Sequence, residues 1–266
     1  MVSVLHPLRR LHAFLAMHTG YVVLGAGCLL WSAVTLPLTL VLHERHGTWL
    51  GRWVACLGFR SYLAFLTWIG VARFDLKALD ALRGDGAMIV APNHPGLLDA
   101  LMVISRLPGV ACVQKASLLD NPLWGAGSRL AGYIRNDWFI GSITLAVQEL
   151  RRGGQLLLFP EGTRSEGPLA LGTFRAGAAY VAHRAQVPLQ TVIIEQDTCF
   201  LGKGWPLSRV PKMPMHFRVR LGERFAPPDD PEAFTRELYA YFARELVAGA
   251  PSPESDSPCP PPVTSS

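Results

Sequence analysis

Ala87-Met88-Ile89-Val90-Ala91-Pro92-Asn93-His94-Pro95-Gly96-Leu97-Leu98-Asp99 is the stretch on which the fold turns. The apolar run Ala87 to Ala91 reads as a strand that ends at Pro92. Pro95-Gly96 then turns the chain, and Leu97 to Leu107 reads as a helix with Asp99 in its first turn. Asp99 lies five residues after His94. That is too far for neighbours on one helix face, so the two meet only if the turn folds the chain back. A carboxylate on the donor nitrogen of a neutral imidazole leaves the other nitrogen free to accept a proton from a hydroxyl. Such a base needs no Ser or Cys nucleophile. In isolation, the same residues also read as a His that finishes a strand and an Asp that caps a helix.

A second stretch, Phe159-Pro160-Glu161-Gly162-Thr163-Arg164-Ser165, follows another apolar run, Leu156 to Phe159. Gly162 permits a backbone angle that brings peptide N–H groups to an anion, and Arg164 supplies a planar fork for two phosphate oxygens. Glu161 is suited to bonding an acceptor hydroxyl or to fixing Arg164. Alone, a Glu and an Arg three apart are most often a surface ion pair worth little.

Together, Asn93-His94 with Asp99 and the downstream Phe159 to Ser165 segment resemble the glycerolipid acyltransferase family typified by lysophosphatidic acid acyltransferase. Its signatures are NH-x4-D and FPEGTRS, and the resemblance runs approximately from Ala87 to Glu195. It implies catalytic roles for His94 and Asp99, and substrate-binding roles for Glu161, Gly162, Thr163 and Arg164. Gly132-Tyr133-Ile134-Arg135-Asn136-Asp137 partly resembles the family's G-x-x-F-I-D-R, whose arginine is thought to hold the acceptor phosphate. Here Arg135 arrives early and is followed by Asn136 and Asp137. Phe174-Arg175-Ala176-Gly177-Ala178 resembles the family's F-K/R-x-G-A, and Arg175 either adds charge near the same pocket or is solvated. Pro188 resembles the V-P segment of a fourth signature, with Thr191 in place of a second proline. The resemblance implies no metal and no cofactor.

The 266 residues suffice for one large domain plus an appendage. Half are hydrophobic and the mean hydropathy is +0.24, which points to membrane contact. The net charge of +5 is unevenly placed. Before Arg73 stand five basic residues (Arg9, Arg10, Arg45, Arg52, Arg60) and one acid, Glu44; the remainder holds 20 basic and 19 acidic residues. An excess flanking the most apolar part suits anionic headgroups, not a nucleic-acid groove, and no nucleic-acid motif occurs. Five scattered cysteines without C-x-x-C spacing argue against a disulfide framework or metal cluster and fit a reducing compartment.

The chain divides into an N-terminal membrane-associated helical region (1–73), an acyltransferase domain (74–248) and a Pro/Ser-rich tail expected to be disordered (249–266). Thr19 to Leu42 is uncharged and, as a helix, about 36 Å long, enough to span a bilayer. Tyr21 and Trp31 are placed near an interface, with Pro37 as a kink. A cleaved signal is the competing reading, though the run is long for one. Trp49 to Val71 carries Arg52 and Arg60, so it is expected to lie in the interface with both arginines at headgroups, making a hairpin with the first run. A buried soluble hairpin is the alternative.

Further along, Val110 to Gln114, Leu156 to Phe159, Val187 to Ile194 and His216 to Phe225 read as strands, the last as an edge or closing strand. Asn121 to Ala131, Gly141 to Arg152, Phe174 to Arg184 and Pro231 to Val247 read as helices. The alternation predicts an α/β domain: a mixed sheet flanked by helices, with the N-terminal membrane-associated hairpin.

The leading function is transfer of a fatty acyl group from an acyl thioester, acyl-CoA or acyl carrier protein, to a hydroxyl of a lysophospholipid such as 1-acylglycerol-3-phosphate. His94 is the base, Asp99 its orienter, and backbone N–H groups near Gly96 are candidates for holding the oxyanion. Membrane lipids are the expected surroundings, with the catalytic domain on the cytoplasmic side. Two alternatives are a lipid hydrolase, although G-x-S-x-G is absent, and a lipid-binding or carrier-docking protein without turnover.

Overall fold

The structure, a computed structural model, describes residues 5–122, 125–137, 139–165 and 171–248. The 249–266 tail, and with it the expectation of disorder, lies outside the described residues. A seven-stranded sheet carries the site, in the order β1 (Ala72–Asp75), β7 (Met215–Phe225), β6 (Leu189–Gln196), β2 (Met88–Pro92), β5 (Gln155–Leu157), β3 (Ala111–Gln114) and β4 (Ile134–Arg135). From β6 through β4 the strands run parallel. β7 is antiparallel to β6, and β1 is parallel to β7. The mixed sheet is therefore as expected, but β7 is not an edge strand. Ala72–Asp75, in a stretch too short and polar to signal a strand, covers it.

β2 is buried at all five positions, as its continuous apolar run requires of a central parallel strand. Its side chains alternate between two cores. Met88 and Val90 join one, with α3 (Asp99–Ile104) and the N-terminal helices α1 (Leu5–Val41) and α2 (Glu44–Trp68). Ile89 and Ala91 join the other, with α6 (Phe139–Arg151), α7 (Gly177–Ala185) and α8 (Pro231–Ala248). The helix expected over Asn121 to Ala131 is described as α5 (Gly125–Leu130), and a separate short helix, α4 (Ala116–Leu119), precedes that span.

α1 contains one stretch, Leu8–Val41, that is long and apolar enough to cross a membrane; its most apolar window has a mean hydropathy of 1.8 and is 11% buried. Pro37 lies inside the helix. α2, in contrast, docks on the sheet domain. A Cβ at Gly51 would stand 2.6 Å from the Ala131 nitrogen, so only glycine lets the two backbones approach this closely.

Arg52 corrects the expectation that both arginines of this segment reach headgroups. It is buried, donates from Nε to the Ala131 carbonyl and from Nη1 to the Gly109 carbonyl (both 3.0 Å), and pairs with Glu149 of α6. Desolvating a guanidinium is costly unless such partners replace water. Arg60 remains exposed. The two aromatics assigned to an interface also pack inward: Tyr21 stacks on Phe200 at 6.2 Å, and the Trp31 indole lies against Gly127 of α5. One apolar core thus joins Ala16, Met17, Tyr62 and Leu66 of the N-terminal helices to Val90 and Met102 across the boundary expected near residue 73. Among the described cysteines, Cys28, Cys56 and Cys112 are free thiols.

Candidate active site

Sheet order explains why the two sequence motifs meet. β2 and β5 are parallel neighbours, with Val90 beside Leu157, so the loops leaving their C-terminal ends emerge side by side. The β2 loop carries His94, and the β5 loop carries Phe159 to Ser165. β6 flanks β2 on the other side, and the segment after it lies against the same turn. Open α/β sheets place ligands at such carboxyl ends.

The turn folds back as the pair requires. His94 Nδ1 lies 2.8 Å from Asp99 Oδ2, and the same oxygen accepts the Gly96 N–H at 2.7 Å. Asp99 is fully buried, whereas the His94 side chain keeps 17% of its surface exposed. With Nδ1–H donated to the carboxylate, Nε2 is the nitrogen left to meet a ligand. Burial pushes the Asp99 carboxyl above its ordinary range; the His94 and Gly96 donors pull against that, and Glu161 adds to it. Ring stacking on Phe159, with centroids 3.9 Å apart, fixes the imidazole from the side.

The backbone of the turn is pinned at three points. Asn93 is 1% exposed; its Nδ2 donates to the Ile194 carbonyl at 3.0 Å and its Oδ1 accepts the Ile194 N–H at 2.7 Å, so it extends the β2–β6 ladder by one side chain. Glu161 Oε1 accepts the His94 N–H at 2.9 Å, and the His94 carbonyl accepts the Ser165 N–H at 2.8 Å. Leu97 donates its N–H to the Leu201 carbonyl at 3.2 Å.

These bonds correct two expectations. Glu161 is 1% exposed, and its other oxygen, Oε2, accepts from Ser165 Oγ and the Gly172 N–H, both at 2.8 Å. A carboxylate so buried and so occupied orders the loops and presents almost no surface to solvent. The Gly96 and Leu97 N–H groups, likewise spent on Asp99 and Leu201, are not free to hold an oxyanion.

Gly162 takes the left-handed conformation expected of it (φ +66°), although its own N–H closes a turn onto Phe159. Thr163 is exposed beside it. Arg164, half-buried, donates from Nη1 to the carbonyls of Leu201 and Gly202 at 2.8 and 3.2 Å. Its remaining donors make no bond to a described residue. The Arg175 side chain packs along Gly162, where a Cβ would stand 3.0 Å from its Cδ, and the residue as a whole is exposed. Two arginines therefore flank the exposed Gly162-Thr163 turn next to His94.

The family model for Acyltransferase matches residues 73–195, a range that contains β2, β5, all but the last residue of β6, and both motif loops. Over that range the chain is similar to the acyltransferase family. Among its relatives, a 1-acyl-sn-glycerol-3-phosphate acyltransferase of Helicobacter pylori is 27% identical over 141 residues, 51% of this chain and 58% of that protein. The human 1-acyl-sn-glycerol-3-phosphate acyltransferase beta is 28% identical over 190 residues, 68% of this chain and 66% of that protein. The chain thus spans somewhat under two thirds of these relatives. The fold is also that of the crystal structure of PlsC, the 1-acyl-sn-glycerophosphate acyltransferase from Thermotoga maritima, with a TM-score of 0.69 at 17% identity, covering 92% of this chain and 99% of that one.

Against the family pattern, Arg135 stands apart from the other site candidates. It ends β4, three strands from β2 in sheet order, roughly 14 Å at ordinary strand spacing. Its guanidinium makes two-pronged contacts with both Asp120 (2.8 and 3.2 Å) and Asp137 (3.3 and 2.8 Å). Those bonds raise the Arg135 pKa and lower that of Asp137. The structure thus groups His94, Asp99, Glu161, Gly162, Thr163, Arg164 and Arg175, and leaves Arg135 paired elsewhere. Asn93, Phe159 and Ser165 stood inside the quoted motifs without a role, and only the strand pairing reveals what each holds. Among the described residues no cluster of three or more His, Cys, Asp or Glu side chains forms a metal site.

Proposed function

We propose that this chain transfers a fatty acyl group from a thioester, acyl-CoA or acyl carrier protein, to a hydroxyl of a lysophospholipid such as 1-acylglycerol-3-phosphate. The 2.8 Å contact between His94 Nδ1 and the buried Asp99 carries the reading. Nε2 takes the acceptor's hydroxyl proton as that oxygen attacks the thioester carbonyl. Asp99 holds the ring in the required tautomer and stabilises the imidazolium. Collapse of the tetrahedral intermediate expels the thiolate, to which the imidazolium returns the proton, and no acyl-enzyme forms. Arg164 and Arg175, beside the Gly162-Thr163 turn, bind the acceptor's phosphate; both named relatives carry that acceptor in their names.

The surroundings suit a lipid substrate. Leu97, three residues from His94, is 41% exposed, and α1 presents Val22, Leu29, Leu30, Leu36 and Leu40 outward. Such a surface is favourable against acyl chains and costly in water. We place α1 in the membrane and the sheet domain on the cytoplasmic side, where water-soluble thioester donors reach it.

The test is transfer of radiolabelled acyl groups by the purified full-length protein. Labelled diacyl lipid from the wild type and none from a folded His94→Ala variant is the expected outcome. Free fatty acid in its place would indicate hydrolysis, and no product from any acceptor would leave a binding role.

A further inference from the structure

Behind the His94 turn lies a polar niche that the mechanism above does not use. Asp99 is 0% exposed, and its second oxygen, Oδ1, is buried without a hydrogen-bond partner among the described residues. Gln196, the last residue of β6, is 6% exposed, and both polar atoms of its amide are also buried without a partner. The two side chains converge beside Gly96. A Cβ built there would stand 3.4 Å from Gln196 Oε1, 3.7 Å from Asp99 Oδ1 and 3.2 Å from the Phe200 carbonyl oxygen.

Three acceptors around one buried spot repel one another unless a donor stands between them, because leaving a buried polar group unpaired is costly. A side chain at Gly96 would crowd these acceptors. A water has two O–H donors, and buried waters typically take polar partners of this kind.

We propose that Gln196 is a positioning residue for the His94–Asp99 pair, acting through one buried water that donates to Asp99 Oδ1 and Gln196 Oε1. Each Asp99 oxygen is then bonded, Oδ2 to His94 and Gly96 and Oδ1 to the water. The carboxylate is held in the plane that aims His94. The titratable groups that act on Asp99 are His94 in its own turn and Glu161 in the loop after β5, while β6 contributes the uncharged Gln196. This inference deepens the base-and-orienter reading and rests on it.

The experiment compares full-length wild type with Gln196→Leu and Gln196→Glu, following the His94 ring by NMR on protein with labelled histidine. The resonance is assigned by its loss in His94→Ala. Removing the water's anchor leaves the Asp99 carboxylate less well bonded, so the coupled pair takes its proton at higher pH. The expected midpoint rises by about half to one pH unit in Gln196→Leu. It rises further in Gln196→Glu, which places a like charge in the niche, and the acid limb of kcat/KM follows the same order. A merely structural role would lower the melting temperature and leave the midpoint unmoved, and wild-type midpoints in both variants would overturn the proposal. If Gln196→Leu does not fold, Gln196→Glu, of nearly the same shape, decides. The NMR midpoint needs no turnover, so absence of acyl transfer would count against the proposed function and still leave the niche decided.

Discussion

Glu161 Oε1 accepts the backbone N–H of His94 at 2.9 Å across 67 residues of sequence. Through this bond the second motif sets the height and tilt of the first. A side chain expected to bond an acceptor hydroxyl or to fix Arg164 holds the base's peptide, Ser165 and Gly172 in one place.

Glu161→Gln therefore tests structure against binding. An amide must turn an NH2 toward at least one of the three donors that the carboxylate now accepts, leaving buried groups unpaired. The expected loss is about 1–3 kcal/mol of stability, visible as a lower thermal midpoint, together with reduced kcat. A pure rise in the acceptor's KM at unchanged stability would return Glu161 to a substrate-binding role.

Asp99→Asn separates catalysis from stability. Burial pushes the Asp99 carboxyl up, so folding favours its protonated form. Its contribution to stability is then fully present below the ordinary carboxylate pKa of about 3.9 and is lost as pH rises through the raised folded value. Asparagine mimics the neutral form, and its oxygen can still accept from His94 and Gly96. We expect activity to fall by about 10²–10⁴-fold while the melting temperature at pH 7 equals or exceeds that of wild type. That advantage should vanish near pH 4. Thermal melts across pH check it; a less stable variant at pH 7 would contradict the sign.

Arg164 joins two roles. Its Nη1 clamps the Leu201 and Gly202 carbonyls, and the proposed function gives its remaining donors to a phosphate. Arg164→Ala should raise the acceptor's KM about tenfold or more, the scale of a lost charge-assisted bond. Arg164→Lys should recover part of it through charge without the planar fork. Steady-state kinetics with saturating donor provide the measurement, and an unchanged KM in Arg164→Ala would remove it from the acceptor site.

Arg52→Ala probes how the N-terminal helices are held. The substitution strands the Ala131 and Gly109 carbonyls and the Glu149 carboxylate, whose side chain is only 17% exposed. Breaking one partner of such a buried pair costs about 3–5 kcal/mol, roughly 10 °C in melting temperature for a chain of this size. Arg60→Ala, at an exposed position of the same helix, should change it little. Equal effects would imply that α2 is not docked as described.

Much of the molecule was legible in short runs of sequence. The β2, β3 and β6 strands, the α6, α7 and α8 helices, the left-handed Gly162 and the His94–Asp99 fold-back all follow from patterns a few residues long. Apolar periodicity, turn residues and proline act locally, and their consequences are local. Ala72–Asp75 escaped because a four-residue strand with one buried side chain leaves almost no pattern.

What the chain alone determined is the chemistry present: a histidine with a carboxylate within reach, an arginine-bearing glycine turn, and an apolar N-terminus. What only the tertiary structure decided is who partners whom. Arg52 looked like a charge seeking headgroups until α2 packed it against Ala131 and Glu149, and Glu161 looked free until β5 lay beside β2. Arg135 differs: it meets Asp120 and Asp137 at the surface, with 44% of its side chain exposed. For Arg52 and Glu161 the physical reason is the same. A polar group's role depends on whether burial leaves it a water to bond or forces it onto a protein atom, and strand order, which no short run encodes, sets which atom that is.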